Sequence, residues 1–235
     1  MSFTWIPFYK EFAHKLLEYK NRRQELVETI YSVLDSTMND SGTSVVNYFK
    51  KDKDERLTDT DPFSVFAIFN RTSNDIVRKK CIEILKKTFG IKTDVPTDFD
   101  GVPLLNAKRS IFVDQDGVDI TESTSLLWNL FEKVIKNEDF GQEYDEALKI
   151  KGVNNNLSMG LFWICPNRFL GLDSNNRNYI KQKLGLEISD KPNYHEYEEL
   201  LNKVKTSYYK DFAELSLQAW NCSKPKIRNY HPIHD

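Results

Sequence analysis

Phe8, Phe12, Leu16, Tyr19, Leu26, Ile30 and Val33 recur at intervals of three, four and once seven residues. That spacing is what a helix with one buried stripe requires. The chain therefore opens with Trp5 to Leu34 as one long amphipathic helix, in which Lys20-Asn21-Arg22-Arg23 is either solvated surface or a short break. Such a helix needs an apolar partner, and the rest of the chain supplies one. Hydrophobic residues make up 40% and charged residues 29% of 235 positions, a globular composition with enough length to bury a core. Aromatics reach 13%, so some are expected on a surface or along a pocket wall.

Further elements follow from caps and breakers. Ser36 to Ser44 is polar and Lys50 to Arg56 is a mixed charge run, which reads as a mobile connection around a short apolar element, Val45 to Phe49. Asp61-Pro62 opens an apolar stretch from Phe63 to Phe69, closed by Asn70-Arg71. Ser73 or Asn74 caps a helix from Asp75 to Phe89 that Gly90 stops. Ile111 to Val113 reads as a strand ending in an Asp116-Gly117 turn. Helices are expected at Ser125 to Lys136, around Gln142 to Lys149, from Asp173 or Ser174 to Leu184, at Tyr194 to Val204 and at Tyr208 to Trp220.

Leu157 to Cys165, bounded by Asn154-Asn155-Asn156 and Pro166, is read as a buried strand that sends Phe162 and Trp163 to opposite faces. The fold class expected is α+β, a predominantly helical single globular module with a small β-sheet. Residues 1–58 would form the long helix and mobile connection packed on the main body, 59–222 the recognition body, and 223–235 a linker or tail.

No apolar run approaches the roughly 18 residues of a membrane helix, and Met1 to Trp5 shows no secretory pattern. Cys81, Cys165 and Cys222 are too scattered for a disulfide framework or a metal site, so reduced thiols in a cytoplasm are expected. The net charge of -2 means that any nucleic-acid role must rest on a local patch.

Catalytic signatures are sparse. No Gly-Lys pair exists for a P-loop, and no serine sits in a nucleophile elbow. His231 and His234 have crude ligand spacing but no Cys or carboxylate cluster beside them, so no metal or other cofactor is expected. Glu18-Tyr19-Lys20 is the one match to a nuclease Glu-x-Lys element and has no upstream Asp. Asp114 to Asp119 has a misplaced glycine for a calcium loop, and Ser125 stands where that loop needs glutamate. Asp98 and Asp100 form a close carboxylate pair beside Gly and Pro, a pattern that mostly serves loop geometry.

Two stretches stand out: Asp61 to Arg71, leading to Arg78, and Gly160 to Arg177, in which Arg168, Asn175 and Arg177 cluster at a helix start. With Trp5-Ile6-Pro7-Phe8-Tyr9, Phe99-Asp100-Gly101-Val102-Pro103 and Asn106, Leu215-Ser216 and Ala219-Trp220, they carry a resemblance. The chain resembles the N-terminal specificity region of McrB-like proteins of modification-dependent restriction systems. The resemblance implies a non-enzymatic DNA-recognition module joined to a GTP-hydrolysing AAA+ motor, through which it would oligomerise, and a McrC-like nuclease partner. Such N-terminal regions adopt several unrelated folds, and some members of the wider group flip a modified base into an aromatic pocket.

On this reading the module binds double-stranded DNA, modified cytosines included, as part of antiviral defence. Arg71, Lys108, Arg109, Arg168 and Arg177 are the candidate phosphate contacts. Trp163 or Phe112 would stack on a flipped base, and Asn106 or Asn167 would bond its edge. Two other readings stay open. One is a protein-interaction adaptor, which predicts an exposed apolar patch. The other is a nucleobase enzyme using Asp98 or Asp100 as base, which requires those carboxylates to face a cleft.

Overall fold

The computed structural model describes residues 3–41, 56–71, 73–105, 112–113, 120–153, 156–205 and 209–224. The Val45 to Phe49 element, the Asp114 to Asp119 loop, Asn106, Lys108, Arg109, and the tail with His231 and His234 lie outside these. Ten α-helices occur among the described residues: α1 (Trp5–Leu17), α2 (Arg23–Ser41), α3 (Pro62–Ala67), α4 (Asp75–Thr88), α5 (Ile120–Lys136), α6 (Gly141–Ala147), α7 (Asn156–Ile164), α8 (Ser174–Tyr179), α9 (Tyr194–Lys205) and α10 (Phe212–Ser223). A π-helical turn, Ile180–Leu184, continues α8.

The described residues contain no strand, so the expected α+β class with a small sheet is corrected to an all-helical fold. Leu157 to Cys165 is the decisive segment. It forms α7, in which Leu157 to Ile164 are all buried. A helix enclosed on every side is apolar all round and loses the polar face that would reveal its period. Its composition favours a helix too, since Leu, Met and Ser outnumber the single β-branched Ile164. Phe112 and Val113 are a bend rather than a strand. Phe162 and Trp163 do not divide between core and surface, since both are fully buried.

The opening segment is two helices, not one. Asn21 and its charged neighbours form a turn closed by Tyr19 N–H to Leu16 O (2.9 Å) and Arg22 N–H to Tyr19 O (2.8 Å). The break lets α1 pack on α5 and α7 while α2 turns away to pack on α4. One core runs through all of them, from Trp5 through Leu34 and Leu57 to Leu215. At its centre an aromatic cluster joins α1, α3 and α7. Trp5 meets Phe162 at 5.5 Å, and Phe12 meets Phe66 at 5.0 Å.

Caps set the short helices. Asp61 accepts Ser64 N–H at 2.9 Å to start α3, with Pro62 fixing the first turn. Asn74 caps α4, Asp173 caps α8 and Asp211 caps α10. Gly90, at φ 63°, releases the chain from α4.

The segment that follows α4 has no regular structure but is pinned along its length. Glu11 accepts Lys92 N–H and Thr93 N–H, each at 2.8 Å. Thr4 and Asp98 bond each other, and Thr4 Oγ1 also accepts Thr97 N–H at 3.0 Å. Trp163 Nε1 donates to Pro103 O at 3.0 Å, and Leu105 N–H to Asn70 O at 2.9 Å. This strap crosses from α1 to the far side of α7 and builds one rim of the cleft described next.

Candidate functional site

A cleft of about 480 Å³ opens between the strap, the start of α7, the start of α8 and α10. Gly101 to Leu105 form its rim, Met159 and Leu172 its apolar floor, and Asn156, Asp173, Asn175, Arg177, Ser216 and Trp220 its polar and aromatic wall. A cleft of this size suits one small planar ligand.

Close backbone approaches make this shape. Gly101 adopts φ 76°, and a Cβ there would stand 2.7 Å from the Leu217 backbone, so only glycine lets the strap lie on α10. Ser216 Oγ donates to Gly101 O at 2.6 Å and accepts Asn176 Nδ2–H at 3.0 Å, linking strap, α10 and α8. Opposite, a Cβ on Gly171 would meet Pro103 Cγ at 2.9 Å. The Tyr197 hydroxyl holds both polar backbone atoms of Leu170 (2.7 and 3.1 Å), and Ser158 Oγ accepts Leu172 N–H at 3.0 Å. The wall is therefore set before any ligand arrives.

Two charged groups face the cleft. Arg177 spends its guanidinium on backbone: Nε on Leu172 O (3.0 Å), Nη1 on Ser189 O (3.0 Å) and Nη2 on Asp190 O (3.2 Å). The π-helical turn and Gly185 at φ 66° bring the 185–190 segment back to receive it. Asp173 uses Oδ1 to accept Asn176 N–H at 2.9 Å. Its Oδ2 has no hydrogen-bond partner among the described residues. Burial pushes the Asp173 carboxyl up to about 6, with the Asn176 N–H acting against that rise.

Of the sequence candidates, the structure brings only Arg177 into this cleft, with Asn175 beside it. Asn167 and Arg168 lie beyond the opposite end of α7, so the expected grouping of Arg168 with Asn175 and Arg177 is not formed. Arg168 Nη1 donates to Val134 O at 3.1 Å, and its guanidinium lies 4.9 Å from the Phe169 ring. Asn167 is exposed and accepts from Cys165 Sγ at 3.1 Å. Arg71 is half-buried beside Cys81, whose thiol burial pushes up to about 12.

Trp163 and Phe112 are fully buried and offer no face to a base. Phe112 stacks on Phe63 at 5.5 Å, and Trp163 holds the strap. Asp98 is spent on Thr4, Asp100 is exposed in the turn before Gly101, and neither lines the cleft.

Sequence reasoning reached Asp173 only as a helix cap and Trp220 only within a short aromatic phrase. It passed over Asn156 and Met159, which carry no local signal. The short phrases nonetheless converge in space. Phe99 to Pro103 lies on Ser216, Gly160 lies under Phe63, and Gly171 lies against Pro103.

No curated protein and no solved structure matches this chain. A family model matches residues 5–222, from the first turn of α1 almost to the end of α10, and the chain belongs to that family, DUF8425, a domain of unknown function.

Proposed function

We propose that this chain is the DNA-recognition module of a McrB-like restriction system, working in the cytoplasm. It binds double-stranded DNA, modified bases included, and acts through a separate AAA+ motor and a McrC-like nuclease. The observation that carries this reading is the cleft's composition and position. Its rim ends at Leu105, directly before the sequence that holds Asn106, Lys108 and Arg109. A pair of cations beside a cleft with amide and aromatic walls is the arrangement that DNA recognition uses: phosphate contacts to position, a pocket to read. Trp220 takes the aromatic role first expected of Trp163 and Phe112, while Asn156 and Asn175 supply amides for a base edge. Lys108 and Arg109 are the leading phosphate contacts, because Arg168 and Arg177 already bond backbone carbonyls.

With a net charge of -2, a single module binds weakly, and joining several copies raises the effective affinity. The adaptor reading rests on an exposed apolar patch. Among the described residues the one large apolar side chain standing exposed is Ile76, which is an isolated residue rather than a patch.

The test is binding of the chain, alone and artificially dimerised, to labelled duplexes with and without modified cytosines across a salt series. Affinity should fall linearly with salt on logarithmic axes, and Lys108→Glu with Arg109→Glu should flatten that slope. Absence of binding by the dimerised form at low salt overturns the proposal.

A further inference from the structure

We infer that the cleft selects a nucleobase carrying an exocyclic amino group, with Asp173 Oδ2 as the acceptor that reads it. The inference rests on the recognition reading and goes further, because it names the class of base and the residue that discriminates.

The argument begins with unspent hydrogen-bonding capacity. A carboxylate has two oxygens, each able to accept more than one hydrogen bond. Asp173 Oδ1 caps α8 through Asn176 N–H, but Oδ2 lines the cleft without a partner among the described residues. No described cation compensates it, since Arg177, the basic residue on the same wall, points its donors at Leu172, Ser189 and Asp190 carbonyls. A desolvated oxygen of this kind is costly until a donor arrives. The rest of the wall favours a flat ligand. Met159 and Leu172 form an apolar floor, Trp220 a half-buried aromatic edge, and Asn156 and Asn175 are amides that can both donate and accept.

Guanine, cytosine and adenine each present an amino N–H₂ that meets this oxygen. Thymine and uracil place carbonyl oxygens at the corresponding positions and oppose it. The raised carboxyl pKa agrees with an acceptor short of a donor.

The test uses the full chain and duplexes with one bulged base, C, A, G or T, beside a fully paired duplex. A second arm titrates free cytidine and uridine. Fluorescence reports on the cleft, because Trp5, Trp128 and Trp163 are fully buried and Trp220 lines it; Trp220→Phe removes the signal and serves as control. Duplexes with amino bases should bind about tenfold more tightly than the T bulge, the worth of one hydrogen bond to a charged acceptor. Asp173→Asn preserves the helix cap, because an Asn oxygen accepts the same backbone N–H. It places a donor where the acceptor stood, so the preference should reverse toward T, which loss of folding alone would not produce.

Duplex binding with equal affinity for all bulges, or an unchanged ranking in Asp173→Asn, overturns this inference and leaves the recognition reading standing. Cytidine binding above uridine without any duplex binding overturns the recognition reading and retains the amino-group selection. Absence of both overturns both.

Discussion

Asp61 and Glu11 are carboxylates that the fold pushes in opposite directions, and the difference should be visible in the pH dependence of stability. Asp61 is buried, and desolvation raises it from 3.8 to about 6, although Ser64 donates to it from both N–H and Oγ. The native state therefore holds a proton that the unfolded chain has already released between pH 4 and 6. Stability falls as pH rises through that window, by on the order of 3 kcal/mol for a shift of this size. Glu11 is lowered from 4.5 to about 2 by Lys92 N–H, Thr93 Oγ1 and Thr93 N–H. Its contribution is present above pH 4.5 and disappears as pH falls toward 2. Urea titrations at a series of pH values should show Asp61→Asn flattening the decline above pH 4, and Glu11→Gln flattening the decline below 4.5. An unchanged profile in either variant would refute the corresponding assignment.

Gly101 gives a second prediction at the same scale. Gly101→Ala combines a left-handed φ with a Cβ 2.7 Å from α10 backbone. It should cost more than the roughly 1–2 kcal/mol of a left-handed residue alone, read as a lower urea midpoint with an unchanged slope.

At the scale of elements, legibility in the sequence depended on whether a helix keeps a solvated face. α1, α4, α5 and α9 each show charge on one side and apolar residues on the other, and their periodicity marks them in the sequence. α7 does not, since Leu157 to Ile164 touch protein on all sides and leave an apolar run without period. That one misreading produced the expected sheet and exposed Trp163, and with them the wrong aromatic candidates for the site. Caps were readable because they are local: Asp61, Asn74 and Asp173 each accept from a backbone N–H within three residues. The cleft was not, because its walls come from positions as distant as Gly101 and Ser216, joined by a single 2.6 Å hydrogen bond.

Trp163 is the element-scale test. Its indole N–H fastens the strap at Pro103 O while its ring fills the space between Phe66 and Phe112. Trp163→Phe leaves a cavity and an unpaired buried carbonyl, and should destabilise by about 2–4 kcal/mol. If the strap sets the cleft rim, the same variant should also change the accessibility of Trp220 to acrylamide. A destabilised protein with unaltered Trp220 quenching would show that the rim is held by Gly101 and Ser216 without Trp163.

For the whole molecule, the question is whether residues 1–58 form an appendage or part of the body. Buried polar contacts, as well as apolar packing, place α1 inside. Arg78 on α4 is 2% exposed, donates to the Tyr9 hydroxyl at 2.9 Å and to Asn70 Oδ1, and lies 4.0 Å from the Phe99 ring. Tyr9 in turn donates to Asn70 Oδ1 at 2.7 Å. Removing α1 would take away one of the polar partners of a buried cation and open the aromatic cluster around Phe66 and Phe162, so the loss exceeds the surface of one helix. A chain limited to residues 59–222 should therefore fail to form a native core. Near-UV circular dichroism should be lost while helical far-UV signal persists, the signature of collapse without fixed packing. The intact chain, by contrast, should lose both signals in one coincident urea transition, as a single core predicts. Native near-UV bands in the fragment, or two separated transitions in the whole chain, would make the N-terminal helices a separable unit and remove Tyr9 from the set of residues that hold the strap in place.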